Sequence, residues 1–425
     1  MAQLSNDCFK KDQPLMTLDQ ALAHLRRVLT PQAGISKIDL MAAESRILAS
    51  QLVADHAHPP FDNSAVDGYA LSMPQDQMSG SVPFDIVGQA AAGHPYHGTL
   101  AKGQAIQIFT GASLPAGCDV IYMMEDISIN PQTKQLVCPV GLKLGSNIRR
   151  AGEDIAIGDV LLEAGLKLTP AAIGLAASQG IDQLSVYQPL RVAVFSTGDE
   201  ITPPNAPLMQ GALYDMNRPM LVNWLKMLGY HVSDLGILKD DADGIQTALS
   251  DAAQNHDAIL TSGGMSMGAE DHVKNAIEQL GSLQFWKLAI KPGRPIGLGL
   301  LPRGDSSCLF IGLPGNVVAS YTTFALIGRI ALKLIAGERI LQAPSLMVEM
   351  AHPYKKKANR LEIARVKLNP DAKTGMPQAV IYQKSGAGIL SSITNNDGFI
   401  LLDEEKRQVD QGDKVRYIPF NEFYQ

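Results

Sequence analysis

Arg191-Val192-Ala193-Val194-Phe195-Ser196-Thr197-Gly198-Asp199-Glu200 is the stretch on which the fold turns. A buried-type strand, Arg191 to Phe195, runs straight into a polar loop that carries Gly198. From Leu190 onward the same unit recurs. The spacing predicts a helix over 218–228 closed by Gly229, a strand over 231–235, and a helix over 243–254. A strand over 257–260 and a helix over 271–280 closed by Gly281 come next. Strands over 283–288, 296–301 and 309–313 lead to a long helix over 317–335 that ends at Gly337. Apolar strands alternating with helices imply a doubly wound, mostly parallel α/β domain with helices on both faces of its sheet.

Around this block the pattern changes. Thr17-Leu18-Asp19-Gln20 reads as a capping box, and Leu18, Ala21, Leu22, Leu25, Val28 and Leu29 then lie on one helical face. From about 53 to 150, Gly, Pro and Asp punctuate short apolar runs, an all-β signature. Thr169-Pro170 opens a helix of small residues that Gly180 ends. After about 343 only short strands are expected. At 425 residues the chain is too long for one core, and 46% hydrophobic with 18% charged residues marks a globular protein. The 42 acids against 36 bases leave a net charge of −6, which argues against a general nucleic-acid binder. Cys8, Cys118, Cys138 and Cys308 form no C-x-x-C pair, so zinc-ribbon and thioredoxin-like chemistry find no support and a reducing compartment fits. No apolar h-region opens the chain, and Arg329 and Lys333 interrupt the apolar run from Val317 to Gly328. A cytoplasmic protein without a signal peptide or membrane span is therefore expected.

In an open α/β sheet, ligands bind beyond the carboxyl ends of the strands. Four segments fall there: 196–200, 261–268, 291–295 and 312–316. Their glycines let backbone N–H groups approach an anion, and two of them feed helix N-termini. Each alone equally fits an ordinary strand–helix turn; together they point to one site. Lys287, Ala289 and Lys291 are expected on one side of an extended segment, with Arg294 beyond, a set suited to an oxyanion. Asp199, Glu200, Asp215, Asp240, Asp241, Glu270 and Asp271 lie near strand ends, where carboxylates beside phosphate suit Mg2+ but also serve as helix caps. Away from the sheet, Pro59 to Ala70 carries Asp62, Asn63, Ser64 and Asp67 in an irregular stretch, a use of residues that fits a site better than a core. Thr110-Gly111-Ala112 and 149–154 share that character. His56, His58, His94 and His97 lack further ligands at metal spacing, and neither a G-x-S-x-G elbow nor a Walker A loop is present.

With these segments in order, the sequence resembles the molybdopterin molybdenumtransferases, MoeA-type proteins related to the C-terminal domain of gephyrin. Pro60-Phe61-Asp62-Asn63-Ser64-Ala65-Val66-Asp67-Gly68-Tyr69-Ala70 carries most of the resemblance. Phe109-Thr110-Gly111-Ala112, Arg150-Ala151-Gly152-Glu153-Asp154, Ser196-Thr197-Gly198-Asp199-Glu200 and Tyr214-Asp215-Met216-Asn217 support it. So do Ser262-Gly263-Gly264-Met265-Ser266-Met267-Gly268 and Lys291-Pro292-Gly293-Arg294-Pro295. The likeness implies an elongated subunit of four parts: an α/β domain (16–35 plus 182–342), a linking and dimerisation domain (36–52 plus 153–181), a projecting β-rich domain (53–152) and a C-terminal β-barrel (343–425). It also implies a homodimer whose cleft lies between the α/β and C-terminal domains of one subunit and the projecting domain of the other. The implied reaction inserts molybdate into adenylylated molybdopterin, giving molybdenum cofactor and AMP with Mg2+.

By position in the motifs, the resemblance makes Asp67, Asp154, Glu200, Asp240, Asp271 and Thr110 the catalytic set, with Glu200, Asp240 and Asp271 toward the metal. Ser262, Gly263, Gly264, Ser266, Pro314, Gly315 and Asn316 would seat substrate phosphates and pterin. Lys287, Lys291 and Arg294 would hold phosphate or molybdate, and Arg360 and Ser385 would contact substrate. The dithiolene sulfurs belong to the substrate, so no protein thiol is required. A transient contact with the molybdopterin adenylyltransferase follows, and neither nucleic acid nor membrane is expected as a partner. Two positions depart from the family: Val317 stands where Gly-Leu-Pro-Gly-Asn is often followed by proline, and Ala387 where some members have serine. Two other readings stay open, a molybdopterin adenylyltransferase and a non-catalytic scaffold of the same fold.

Overall fold

The computed structural model describes residues 15–74, 82–138, 143–264, 272–340, 345–371, 375–383 and 386–424. The α/β sheet has six strands in the order His231–Leu238, Arg191–Thr197, Ala258–Ser262, Ser306–Leu313, Pro295–Arg303, Ser282–Lys287. The first four are mutually parallel, and Pro295–Arg303 runs antiparallel to both of its neighbours at one edge. The reason is connection length. Only Gly304 and Asp305 separate Pro295–Arg303 from Ser306–Leu313, enough for a hairpin and too few for a crossover helix. Within the parallel strands alternate side chains go to opposite faces. Val192, Val194, Leu260 and Ile311 pack under the helices Leu18–Val28, Asn217–Met227 and Val317–Ile335. Ala193, Phe195, Ile259 and Phe310 pack under Ala242–Asn255 and His272–Leu280. The predicted capping box forms: Gln20 N donates to Thr17 Oγ1 at 3.2 Å and Thr17 N to Gln20 Oε1 at 3.0 Å.

The helix Val317–Ile335 is 19 residues long and apolar enough to cross a membrane by length and composition, yet 83% of its most apolar window is buried inside the protein. Arg329 does not interrupt it as expected. That residue is only 6% exposed, and its guanidinium lies 5.5 Å from the Phe423 ring centre. Lys333 is drawn in by Glu338 at 2.5 Å. Charge on this helix is accommodated by partners rather than by solvent.

Three further units surround the sheet. Ile35–Asp39, Gln183–Tyr187 and Ile47–Leu48 form a small sheet that packs with the helix Pro170–Ala177 over Leu40, Leu48, Leu168, Ala172 and Leu184. A six-stranded β unit follows the order Val120–Met123, Gly68–Leu71, Gln104–Ile108, Val82–Ala90, Leu136–Cys138, Ser128–Ile129. At the C-terminus, Leu361–Pro370 pairs with both Pro377–Ile381 and Gly398–Leu402, closing a five-stranded barrel with Leu346–Met350 and Lys414–Pro419. A one-turn helix, Ser391–Thr394, and a 3-10 turn, Phe420–Phe423, add to the short strands expected there.

One expectation is corrected here. Lys287, Ala289 and Lys291 do not lie along one strand. Lys287 ends the edge strand of the α/β sheet, Ala289 is buried, and Ile290–Lys291 pairs in parallel with Leu361–Glu362 of the barrel sheet. The chain changes sheets between them, so period-two alternation does not carry across.

The barrel and the α/β sheet share one core. Phe399, Phe420 and Phe423 of the C-terminal segment cluster with Trp224, Tyr321 and Phe324 of the α/β helices. Trp224 Nε1 donates to Phe423 O at 2.6 Å, and the Tyr321 and Tyr424 hydroxyls are 2.9 Å apart. Such an interface is a domain core rather than a mobile contact. Phe399→Ala should cost about 3–5 kcal/mol. Denaturant unfolding followed by far-UV circular dichroism and tryptophan fluorescence should show the two probes shifting together; a shifted fluorescence transition with an unmoved dichroism transition would mean the barrel unfolds alone.

Candidate functional site

Three strand ends meet at the carboxyl edge of the sheet. Ser196 registers with Ser262 and Ser262 with Leu313, so the loops that follow leave the sheet at one level. Gly263 and Gly264 adopt φ of +101° and +64°, which disfavour any side chain. A Cβ on Gly263 would sit 2.9 Å from Thr197 O, and one on Gly315 would lie 4.0 Å from Gly263 Cα. The loops are therefore in mutual contact, backbone to backbone. Asn217, the first residue of its helix, ties them together: Nδ2 donates to Ser262 Oγ and to Gly315 O, both at 2.7 Å. Ser262 Oγ in turn donates to Pro314 O at 3.3 Å. Asn217 Oδ1, Ser196 Oγ and Thr261 Oγ1 are buried and have no hydrogen-bond partner among the described residues. Polar atoms under such loops are apt for a bound group or water.

The helix that presents Asn217 is itself anchored by charge. Arg218 Nε donates to Asp215 at 2.9 Å and Nη1 to Asp234 at 2.5 Å. Burial opposes the Arg218 charge, but the bonds to Asp234 and Asp215 outweigh it and raise its pKa. Asp215 is therefore a structural acid, and Asp241 is another: it caps Ala242–Asn255 through Gly244 N at 2.7 Å. Glu200 and Asp240 remain on the exposed rim. Glu200 folds back over Gly198, where a Cβ would meet its Oε2 at 2.5 Å, and Asp240 accepts from Thr197 Oγ1 at 3.5 Å. Asp271 and Ser266 lie outside the described residues. Among the described residues no group of three or more His, Cys, Asp or Glu side chains forms a metal cage. Mg2+ usually takes one or two carboxylates and fills its shell with water and substrate phosphate, so two rim carboxylates beside glycine loops fit it.

The barrel supplies the facing wall. Val318 N, at the start of the long helix, donates to Ala387 O at 2.8 Å. The two departures from the family pattern thus adjoin one contact, since buried Val317 precedes the donor and Ala387 is the acceptor. Ser385 lies outside the described residues. Gly293, at φ +93°, presses on the long helix, and a Cβ there would meet Thr323 Oγ1 at 2.2 Å. This packing fixes the turn from Lys291 to Arg294 against the helix. Lys291 Nζ donates to Glu362 Oε1 at 3.0 Å, Tyr354 Oη donates to the same atom at 2.7 Å, and Arg360 lies 3.6 Å from Oε2. Burial pushes the Glu362 carboxyl up, but the bonds from Tyr354 and Lys291 and the nearby cations pull it below the usual carboxylate range. Tyr354 is pushed up to about 12 by burial and by its bond to Glu362. Lys287 is half-buried and Arg294 is exposed.

On the projecting unit, the three segments singled out in the sequence meet. Thr110 N and Thr110 Oγ1 each donate to Asp67 Oδ1 at 2.7 Å, and these bonds hold the exposed Asp67 carboxyl below its ordinary value. Arg150 Nη1 and Ala151 N donate to Asp62 at 2.6 and 2.8 Å. Asp154 is exposed, its N–H bonded to His58 O at 3.1 Å. Among the described residues no hydrogen bond or ion pair joins Asp67 or Thr110 to the sheet-edge loops of the same chain. Burial pushes Cys118 to about 11 and Cys138 and Cys308 to about 12, so these thiols stay protonated and inert at neutral pH. A separate cavity of about 480 Å³ opens at the opposite end of the sheet, where Asp257 is already paired with Arg191 and Arg303.

The chain matches three family descriptions in succession. These are the MoeA N-terminal region (domain I and II) over residues 16–180, a probable molybdopterin binding domain over 193–334, and the MoeA C-terminal region (domain IV) over 347–420. It is 35% identical over 410 residues to a molybdopterin molybdenumtransferase of Haemophilus influenzae, covering 96% of this chain and 99% of that one. A molybdopterin molybdenumtransferase of Synechococcus elongatus is 32% identical over 378 residues, 87% of this chain and 90% of the other. A crystal structure of the molybdopterin biosynthesis MoeA protein of Pyrococcus horikoshii shares the fold with a TM-score of 0.79 at 24% identity, covering 96% of this chain and 100% of that one.

The Asp67 geometry makes a direct prediction. Thr110→Val removes the hydroxyl donor and keeps the backbone one, so the Asp67 pKa should rise toward the ordinary carboxylate value, read by carboxyl carbon NMR. The depressed native pKa stabilises the fold above the unfolded-state pKa, and that contribution is lost as pH falls through the native value. An unmoved Asp67 titration would show that the hydroxyl bond is absent in solution.

Proposed function

The chain belongs to the molybdopterin molybdenumtransferase family of molybdenum cofactor biosynthesis, and we propose that it inserts molybdate into adenylylated molybdopterin and releases AMP in a Mg2+-dependent step in the cytoplasm. The observation that carries this reading is the juxtaposition of two unlike walls. Asn217-tied glycine loops lead into the helix Val317–Ile335, and the turn from Lys291 to Arg294, whose lysine joins Arg360 around Glu362, packs on that helix through Gly293. The first suits phosphates and the second suits a tetrahedral oxyanion.

In this reading, backbone groups of 262–264 and 314–316 orient the nucleotide and pterin phosphates. Glu200 and Asp240, with Asp271, would hold Mg2+, which supplies charge neutralisation on the pyrophosphate bridge when bound. Lys291, Arg294, Arg360 and Ser385 hold molybdate close to the dithiolene sulfurs, and Lys287 and Arg294 neutralise the departing AMP. Asp67 and Thr110 stand on the β-rich unit and Asp154 just beyond it, and among the described residues none of the three is bonded to these loops in one chain. A homodimer that places the partner's Asp67 over the cleft completes the site.

Purified protein given adenylylated molybdopterin, molybdate and Mg2+ should release AMP and yield cofactor that reconstitutes an apo-molybdoenzyme. Omitting molybdate or chelating Mg2+ should reduce AMP release to background. Asp67→Ala should keep the melting temperature and lose AMP release; full activity in that variant would remove Asp67 from the site. Mixing inactive Asp67→Ala and Asp240→Ala subunits should recover part of the activity, because one of the two mixed-dimer clefts is intact. Recovery failing despite demonstrated subunit exchange would place both residues in one subunit's cleft.

A further inference from the structure

Glu362 is an acid inside a cation cluster that the proposed function assigns to an oxyanion. It is 4% exposed, so solvation does not account for its charge. Lys291 comes from the segment leaving the α/β sheet, whereas Tyr354, Arg360 and Glu362 all belong to the barrel side. Ile290–Lys291 pairs in register with Leu361–Glu362, and Leu361 N donates to Ala289 O at 2.7 Å. The two side chains therefore leave the same face of a parallel ladder from opposing domains. Lys291 is 45% exposed at its side chain and Glu362 5%, so the lysine side chain reaches solvent from a buried carboxylate.

Charge balance favours this order. Lys291 and Arg360 are the two cations within ion-pair distance of Glu362 among the described residues, so the cluster holds two cations and one carboxylate. The cluster keeps one net positive charge, the sign an oxyanion requires. An ammonium has three donors, and Glu362 uses one of those on Lys291. Arg360 Nε is buried and has no hydrogen-bond partner among the described residues. Unused donors on two domains are thus held around a common anchor.

We propose that Glu362 is a positioning residue for oxyanion capture: it pins Lys291 of the α/β side and Arg360 of the barrel side, so that their remaining donors converge on one tetrahedral dianion. This rests on the molybdate-inserting reading. Without the anchor, the four-carbon stem of Lys291 regains its rotamer freedom and must lose it on each binding event. Neutralising Glu362 also removes a negative charge near the anion, but its Oε1 is bonded to Lys291 and Tyr354 while its buried Oε2 lies 3.6 Å from Arg360 without a hydrogen bond, so loss of the Lys291 anchor is the larger effect.

Titration calorimetry with molybdate alone reads this directly. Glu362→Gln should weaken molybdate binding roughly tenfold, the cost of ordering one long side chain. In the assay, KM for molybdate should rise in parallel while kcat stays near wild type. Lys291→Met should weaken binding too, and adding Glu362→Gln to it should change little further. Wild-type or tighter binding by Glu362→Gln overturns the proposal, as does a full tenfold loss retained in the Lys291→Met background. A lowered melting temperature with molybdate affinity intact also overturns it, since the role is then structural only. Should Glu362→Gln fail to fold, Tyr354→Phe removes one bond to the carboxylate and should weaken binding about threefold with kcat retained; no weakening overturns the proposal. Wild-type protein that neither binds molybdate nor releases AMP would refute the molybdate-inserting reading itself. An active wild type with an indifferent Glu362→Gln refutes only the role of Glu362.

Discussion

The hydrogen bond from Trp224 Nε1 to Phe423 O, at 2.6 Å inside a cluster of aromatic rings, holds the C-terminal barrel to the α/β sheet. The barrel's half of the cleft depends on the shared core to which that contact belongs. It sets the barrel's Arg360 and Glu362 across from Lys291, and it brings Ala387 to the start of the long helix. Arg329 shows how far the interface is dry: burial lowers its pKa, and its guanidinium rests beside the Phe423 ring. A cation is tolerated there only because partners are built around it.

The sheet edge works by a different constraint. Parallel strands end level, so their loops converge without further design, and glycines let those loops touch. Asn217 then spans two loops with one amide. Rigid backbone of this kind suits phosphate, whose negative charge is spread over several oxygens. The barrel side offers long, mobile cations instead, and these need the buried carboxylate to hold them. The cleft thus pairs a preorganised wall with an anchored one.

Much of this was legible in the sequence because it is local. Strand and helix periods, the Thr17–Gln20 box and the glycine loops are all set by neighbours within a few residues. The unusual polarity of 62–70, 110–112 and 149–154 marked each segment, but only the fold shows that they meet. What escaped is long-range. Asp240 and Asp241 look alike in sequence, and only the fold makes Asp241 a helix cap. Lys287 and Lys291 look like one face of a strand until the chain changes sheets between them. Glu362 lies in an apolar strand pattern, and its partner Lys291 is 71 residues away. The one available signal was an acid at a position that the pattern assigns to the core.

The account is tested most directly by anomalous diffraction from crystals of the protein soaked in molybdate. A molybdenum peak within hydrogen-bonding reach of both Lys291 Nζ and the Arg360 guanidinium, on the cleft side of Glu362, is the expected result. An ordered peak elsewhere, with that cluster empty in protein that still releases AMP, would contradict it.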